Sequence, residues 1–358
     1  MTKEKLNHIL EEIDKSISED ETLLNKYEIM CAYAQCFYWT FANAEDEIVS
    51  KLLSEEGETI SFISRSESDI FHTIELAKKY LYHICPDYVT LLEQYIVDGT
   101  IDMNYDLEGS FTYFFPKNRI TSVDCAIDGK TSDVASLIHE FFHATNRMNS
   151  KGFFGPMRDD FTEMISIFYE IDCVWYLYEK GEIPIDAVKS TLYERISNTL
   201  AICRKMVMQA DIINLYRKIG PIELDNDRTY QFAKQFEETN FFTDENDYYE
   251  AINDFIDTLS QDEMQEEGIM SDYGFQFLRG YQYIVGTTYA LSLLKAKQDG
   301  DKSISSEMLW LNKHLNDINR DEFNSHLKAL KGKTIEDVCA ITKEVCAPFT
   351  KNIEYVKK

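Results

Sequence analysis

The chain has 358 residues, enough for one large domain or two ordinary ones with a sizeable core. Hydrophobic residues make up 44% and charged residues 28%, which indicates a globular protein rather than a disordered one. The formal net charge of −27 disfavours nucleic acid and anionic membrane surfaces as partners, because their phosphate groups would be repelled. This charge is compatible with a preference for cationic peptides, but solubility explains it without any partner.

The sequence shows no sign of export or of membrane insertion. No apolar run approaches the roughly 18 residues that span a bilayer. The N-terminal segment MTKEKLNHILEEIDKS lacks the apolar stretch of a secretory signal. The eight cysteines form no CxxC pair, so we interpret them as buried reduced thiols and predict a cytoplasmic protein. The oligomeric state stays open.

Few chain breakers, 6 Pro and 14 Gly, together with frequent helix formers predict a mainly α fold. Residues 3–95 are predicted as helices joined by short polar breaks. The β signal follows in Ser110–Phe115 and Arg119–Ile127, two runs rich in aromatic and β-branched residues. Pro116–Asn118 separates them like a hairpin turn. We therefore expect one small antiparallel β-sheet.

Beyond these strands the pattern predicts helices up to the C-terminal end. In the segment DGKTSD, residues 128–133, Gly129 supplies a turn, and Thr131, Ser132 or Asp133 can cap a helix that runs to about Met148. The following helices are expected at about 158–180, 185–219, 227–239, 244–260, 271–298, 303–316, 320–331 and 334–350.

A metal-binding motif lies inside the helix that starts near residue 133. The residues His139-Glu140-Phe141-Phe142-His143 form an HExxH pattern. Since four residues slightly exceed one helical turn, both imidazoles project from one face and can bind the same Zn²⁺. Glu140 lies beside them, where it can take a proton from the metal-bound water. The flanking residues are apolar, and two buried imidazoles need partners that a metal supplies.

Glu163 is the predicted third ligand. It follows His143 by 20 residues, which leaves room for a loop and the first turn of an antiparallel helix. Its neighbours are apolar, so a carboxylate there is costly unless charged groups or a metal hold it. An ordinary surface glutamate or a salt bridge is the alternative. Glu170 lies seven residues further on the same face and can orient a ligand histidine, with Asp160 as the weaker candidate for that role.

These residues resemble the M3 metallopeptidases, the group of thimet oligopeptidase and oligoendopeptidase F. HEFFH is followed by ExxSxxxE at Glu163, Ser166 and Glu170, and the lead-in DGKTSDVASLIHE is also similar to the family. The segment 280–286, GYQYIVG, resembles the family's YQYxxG. These motifs keep the family's order over roughly residues 105–295. The resemblance implies a helical metallopeptidase fold with the small sheet beside an active-site cleft, one zinc ion per chain and cleavage of short peptides.

The resemblance also implies roles for two tyrosines. Tyr283 is the first choice, and Tyr281 the second, to donate a hydrogen bond to the oxyanion that forms during hydrolysis. Arg279 is expected to pair with a local acid or, less favoured, with a substrate carboxylate. Two departures from the family stand out. The chain is shorter than typical members, and residues 271–279 contain no His where the family carries one.

The function predicted from these observations is that of a zinc-dependent metallo(oligo)peptidase acting on peptide substrates. We expect an N-terminal helical region, 1–105, and a catalytic region, 106–358, that form one continuous α-rich unit. The first alternative is a catalytically impaired zinc-binding protein of the same fold that binds peptides. The missing His and the short chain favour it, and the intact Glu140 opposes it. The second is a helical interaction module with an accidental HExxH.

Overall fold

The computed structural model describes residues 3–42, 67–105, 110–115, 120–149, 158–222, 278 and 280–351. Long helices dominate this part of the chain, which confirms the predicted mainly α fold. The helices are α1 (Lys3–Glu19), α2 (Glu21–Ala42), α3 (Glu67–Ile84), α4 (Asp87–Val97), α5 (Asp133–Asn149), α6 (Arg158–Glu179), α7 (Ile185–Ile219), α8 (Gly280–Gln298), α9 (Ser303–His314), α10 (Arg320–His326) and α11 (Ile335–Lys351). The strands are β1 (Ile101–Asn104), β2 (Phe111–Phe115) and β3 (Ile120–Ala126), and a 3₁₀ turn covers Lys328–Leu330.

The sheet is mixed, which corrects the purely antiparallel sheet expected from the sequence. Strands β2 and β3 pair antiparallel, with Thr112 opposite Val123, as the predicted hairpin requires. Strand β1 lies on the other side of β3 and runs parallel to it, with Ile101 opposite Val123. The sequence of β1, IDMN, is short and half polar, so it carries no recognisable strand pattern.

The chain divides into two compact units. One comprises Met1–Ala42 and Thr199–Ile284, and the other comprises Asn43–Asn198 and Val285–Lys358. The division predicted from the sequence, 1–105 and 106–358, stays a prediction.

In the first unit, polar contacts join segments that are far apart in the sequence. The Asn7 side chain donates to the carbonyl of Ile222 (2.9 Å) and accepts from its N–H (2.7 Å). Arg217 donates through Nε to Asp14 at 2.5 Å. The apolar face of α1, which includes the fully buried Leu6 and Leu10, packs on α2. α1 is therefore a core-facing amphipathic helix.

In the second unit, helix α5 lies at the centre and contacts α6, α3, α9 and β3. The two phenylalanines of the HEFFH segment are core residues. Phe142 stacks on Tyr169 with 3.7 Å between ring centroids, and both Phe141 and Phe142 meet the Tyr88 ring edge-on. Since Tyr169 belongs to α6, this aromatic packing fixes α6 against the helix that carries the histidines.

The start of α5 is held by Asp133, one of the three residues predicted to cap it. Its Oδ2 accepts hydrogen bonds from the backbone N–H groups of Asp128 (3.1 Å), Gly129 (2.9 Å) and Lys130 (3.0 Å). Gly129 has a φ of 78°, a conformation that glycine adopts without strain. The carboxylate thus ties the loop that follows β3 to the first turn of the helix.

Some predictions fall outside the described residues. They are the helices at 227–239 and 244–260, the first part of the helix at 271–298, the turn at 116–118, Arg279 and the side chain of Asp160. None of the described cysteine side chains forms a disulfide bond. Four are buried as predicted, whereas Cys31, Cys36 and Cys85 are half-buried. Within the same described ranges, no helix combines the length and the apolar content needed to cross a membrane.

Candidate metal centre

Helices α5 and α6 bring His139, His143 and Glu163 together. The Nε2 atoms of the two histidines are 3.0 Å apart. Glu163 Oε1 lies 3.3 Å from His143 Nε2, and Glu163 Oε2 lies 3.5 Å from His139 Nε2. All three residues are only 6 to 8% exposed. The two histidines share a face of α5 because they are four residues apart, and Glu163 faces them from the second turn of α6.

The spacing of these atoms fits a zinc ion. Ligands at about 2.0–2.1 Å from a tetrahedral Zn²⁺ are separated from one another by roughly 3.3–3.4 Å. The observed separations of 3.0, 3.3 and 3.5 Å lie around that value. A set of three protein ligands is typical of catalytic zinc sites, which keep the fourth position open. The described residues therefore offer a donor set that can hold a metal ion.

Unsatisfied polar atoms in the cluster point the same way. Among the described residues, the buried Glu163 Oε2 has no hydrogen bond of ordinary geometry, and it lies 3.5 Å from His139 Nε2. The Nε2 atoms of His139 and His143 face each other at 3.0 Å, where two lone pairs would repel unless one of the nitrogens carries a proton. Leaving a carboxylate oxygen unpaired in a buried site costs free energy of about 1–3 kcal/mol or more. A bound cation would satisfy all of these atoms at once.

Without a metal, the charges of the histidines and of the glutamates in the cluster stabilise one another. Burial lowers the pKa of His139, but its contacts with Glu163 and Glu170 outweigh burial and raise that pKa to about 10. Burial raises the pKa of Glu163, but the charges of His143 and His139 outweigh it and hold that pKa well below its ordinary value. Metal binding at this site must therefore displace a proton from the cluster.

Glu170 orients one of the two histidines. Its Oε2 lies 2.7 Å from His139 Nδ1 and also accepts a hydrogen bond from Arg195 Nη2 at 2.6 Å. A carboxylate that accepts from Nδ1–H leaves the lone pair on Nε2, the atom that faces the cluster. The geometry is the one expected for Glu170 from the sequence. His143 differs, because its Nδ1 makes no hydrogen bond.

Glu140 lies on α5 between the two histidines and is 6% exposed. Its Oε2 accepts a very short hydrogen bond from the Thr112 hydroxyl on β2. The Thr112 carbonyl in turn accepts from Arg147 Nη1 at 2.8 Å, and Arg147 lies two turns after Glu140 on the same helix. The strand is thus tied to α5 at two points, and one carboxylate oxygen of Glu140 is held in place.

Gly286 allows helix α8 to lie against the backbone at Glu163. A Cβ atom added to Gly286 would lie 3.0 Å from the backbone nitrogen of Met164 and 3.2 Å from Glu163 Cβ. Both distances are shorter than ordinary contacts between such atoms, which lie near 3.5 Å. This glycine is the last residue of the GYQYIVG segment, and close helix packing gives a physical reason for a glycine there.

The two predicted tyrosines belong to the other compact unit. Tyr281 is 2% exposed, and the Lys26 ammonium lies 5.0 Å from the centre of its ring. Tyr283 is half-buried on the same helix. Their predicted role towards an oxyanion stays a prediction.

Three residues that contact the site were missed by sequence reasoning. Thr112 occupies an ordinary position in a β pattern, so nothing in the sequence marks it. Arg147 lies near the end of α5, where a basic residue is favoured for its own sake. Arg195 could have been identified from the sequence, because its neighbours on α7, Leu192 and Ile196, are apolar, and both are buried. An arginine beside such a face needs a buried partner.

Comparisons with known proteins show which solved structures share the fold of this chain. No protein-family model matches the sequence, and no curated protein is similar enough to count as a relative. Solved structures do match. PZ peptidase A with inhibitor 2 superposes with a TM-score of 0.56 at 14% identity, over 93% of this chain and 59% of that one. A protein described as an oligoendopeptidase F from Bacillus anthracis str. Ames gives 0.53 at 11% identity, over 93% and 56%.

A third match is to a protein described as a peptidase from Chlamydophila abortus, with a TM-score of 0.50 and 14% identity over 98% of this chain and 56% of that one. The chain thus has the fold of these peptidases and spans a little over half of their length. At such low identity the likeness shows the fold alone. It confirms, at that level, the resemblance drawn from the motifs.

Proposed function

We propose that this chain is a zinc-dependent metallopeptidase that hydrolyses short peptides. The observation that carries the proposal is the convergence of three groups, with Glu140 on the same helix as both histidines. His139 Nε2 and His143 Nε2 lie 3.0 Å apart, and the Glu163 carboxylate contacts both, with Oε1 3.3 Å from His143 Nε2 and Oε2 3.5 Å from His139 Nε2. An accidental HExxH in a helical interaction module gives no reason for a third ligand at this position. The peptidase fold supports the same conclusion.

When zinc is bound, it polarises the scissile carbonyl and makes a water molecule more acidic. His139, His143 and Glu163 hold the ion, and Glu170 keeps the His139 ring in its binding orientation. Glu140 acts as the general base, which takes the proton of the attacking water and passes it to the leaving amine. The Thr112 hydroxyl donates to Glu140 Oε2 and so helps to fix the orientation of this carboxylate.

Two further roles complete the proposal. Tyr283 donates a hydrogen bond to the developing oxyanion, with Tyr281 as the second choice. The partial exposure of Tyr283 favours it over Tyr281, whose side chain is 2% exposed. The substrates are peptides. The described cysteines form no disulfide bonds, which supports a reducing, cytoplasmic setting.

The test is hydrolysis of a mixed peptide library by the purified protein, with zinc counted per chain. We expect one zinc ion per chain and cleavage that a chelator abolishes. Glu140→Gln should keep the zinc and lose turnover, because the amide cannot take up the proton. The matched control is Glu179→Gln at the exposed end of α6, where the carboxylate contacts Trp175. This variant should cleave like the wild type.

Two results would contradict the proposal in different ways. Zinc binding without any hydrolysis would instead indicate the impaired, peptide-binding alternative. Hydrolysis that is equal in wild type and Glu140→Gln would remove Glu140 as the base.

A further inference from the structure

Building on the proposed function, we propose that Arg195 is a positioning residue of the metal centre. It holds Glu170, and through Glu170 it fixes the orientation in which His139 presents Nε2 to zinc. Arg195 comes from α7, a third helix that supplies no ligand to the ion. The site is therefore assembled from α5, α6 and α7 rather than from the HExxH helix and the Glu163 helix alone.

The contacts form a short chain of hydrogen bonds. Arg195 Nη2 donates to Glu170 Oε2 at 2.6 Å, and the same oxygen lies 2.7 Å from His139 Nδ1. Arg195 Nη2 itself lies 3.5 Å from His139 Nδ1, so the three groups converge on one point. The side chains of Glu170 and Arg195 are 8% and 18% exposed. Water therefore has little access to compete for these bonds.

Glu170 needs such a partner to do its work. A carboxylate at the end of a flexible side chain has several rotamers, and the observed one directs Oε2 towards His139 Nδ1. The Arg195 guanidinium donates to the same Oε2 that lies against His139 Nδ1, so it holds the carboxylate in the position that orients the histidine.

The asymmetry between the two histidines makes the role specific. Among the described residues, His143 Nδ1 finds no hydrogen-bond partner, so none of their carboxylates orients that ring. Among the described residues, Glu170 is the one whose side chain lies within 3 Å of His139 Nδ1. Loss of Arg195 should therefore disturb the orientation of His139 and leave His143 and Glu163 as ligands.

The experiment compares zinc dissociation constants, measured by competition with a chromophoric chelator, and the visible spectra of the Co²⁺-loaded proteins. The variants are Arg195→Met, Arg195→Lys, Glu170→Gln and the double variant with Arg195→Met and Glu170→Gln. Lys189→Met is the matched control. This lysine lies on the same helix, its side chain is 16% exposed, and it pairs with the exposed Asp186.

Arg195→Met should weaken zinc binding by roughly 10- to 100-fold, the usual range when the support of a ligand histidine is lost. Its Co²⁺ spectrum should change, because the ligand geometry changes. Arg195→Lys should recover part of the affinity, since it restores the charge but not the planar fork. Lys189→Met should match the wild type in both measurements.

The double variant keeps the test valid if Arg195→Met fails to fold, because it leaves no unpaired buried charge. It should bind zinc like Glu170→Gln alone, since Arg195 acts through Glu170. A further tenfold loss in the double variant would overturn the inference. So would an Arg195→Met protein that has the wild-type affinity and Co²⁺ spectrum. A wild-type chain that binds no zinc would overturn the proposed function itself, and the inference with it.

Discussion

Substitution of Gly286 by alanine tests how tightly the third ligand is held by packing. Alanine gains up to about 1 kcal/mol over glycine from helix propensity. Against this, the new Cβ would lie 3.0 Å from the backbone nitrogen of Met164 and 3.2 Å from Glu163 Cβ. Ordinary contacts lie near 3.5 Å, so the two helices must separate by about 0.5 Å. Such overpacking costs about 1–3 kcal/mol.

The overpacking term outweighs the propensity term because the short contact is with backbone, which cannot rotate away. The net loss of unfolding free energy should be about 0–2 kcal/mol. The substitution should affect zinc affinity more strongly than it affects the stability of the fold. Metal–ligand distances are defined to about ±0.2 Å, less than the displacement imposed beside Glu163. We expect the zinc affinity of Gly286→Ala to fall by about tenfold.

The assay is chelator competition for zinc together with thermal unfolding of the metal-free protein. Gly280→Ala provides the matched control on the same helix. The Cβ of that variant would lie 2.6 Å from Met206 Sδ, the end of a flexible side chain that can move aside. It should leave zinc affinity unchanged. If Gly286→Ala binds zinc as tightly as the wild type, then α8 does not set the position of Glu163.

The other predictions concern protonation, the general base and the oxyanion. The pKa of His139 without metal, about 10, lies above the ordinary value of 6.5. Protonated His139 therefore stabilises the metal-free protein in full below pH 6.5, and this stabilisation is lost as the pH rises towards 10. Thermal scans should show Tm falling over that pH range. Zinc displaces the same proton, so titrations should show zinc affinity rising with pH, by up to about tenfold per unit. Thr112→Val should lower kcat by about tenfold with little change in KM, whereas Thr112→Ser should retain activity, because only the hydroxyl holds Glu140. Tyr283→Phe should lower kcat more than it changes KM, and an equal effect from Tyr193→Phe would count against its role.

The sequence predicted those parts of the protein that follow from local pattern. Helical spacing of apolar residues predicted α5, α6 and α7 to within a few residues of their observed bounds. The HExxH spacing alone required His139 and His143 to share a face, as they do. Glu163 was identifiable because a carboxylate in an apolar helix needs a charged partner. Each of these inferences uses residues that are close in sequence or share one element.

What the sequence did not predict depends on contacts between distant segments. Strand β1 exists because β3 offers it a partner, and its own four residues carry no strand pattern. Arg195 lies 25 residues from Glu170 in the sequence, and Thr112 lies 28 residues from Glu140. No periodicity within one element encodes such a meeting. Physical reasoning marks the need of Glu170 for a partner, but only the fold supplies its identity.

A crystal structure of the zinc-soaked protein, with anomalous diffraction recorded on both sides of the zinc absorption edge, tests most directly whether the three residues hold a metal ion. We predict one anomalous peak per chain, about 2.0–2.2 Å from His139 Nε2, His143 Nε2 and a Glu163 carboxylate oxygen. A peak elsewhere, or no peak while the three side chains keep their present arrangement, would contradict it.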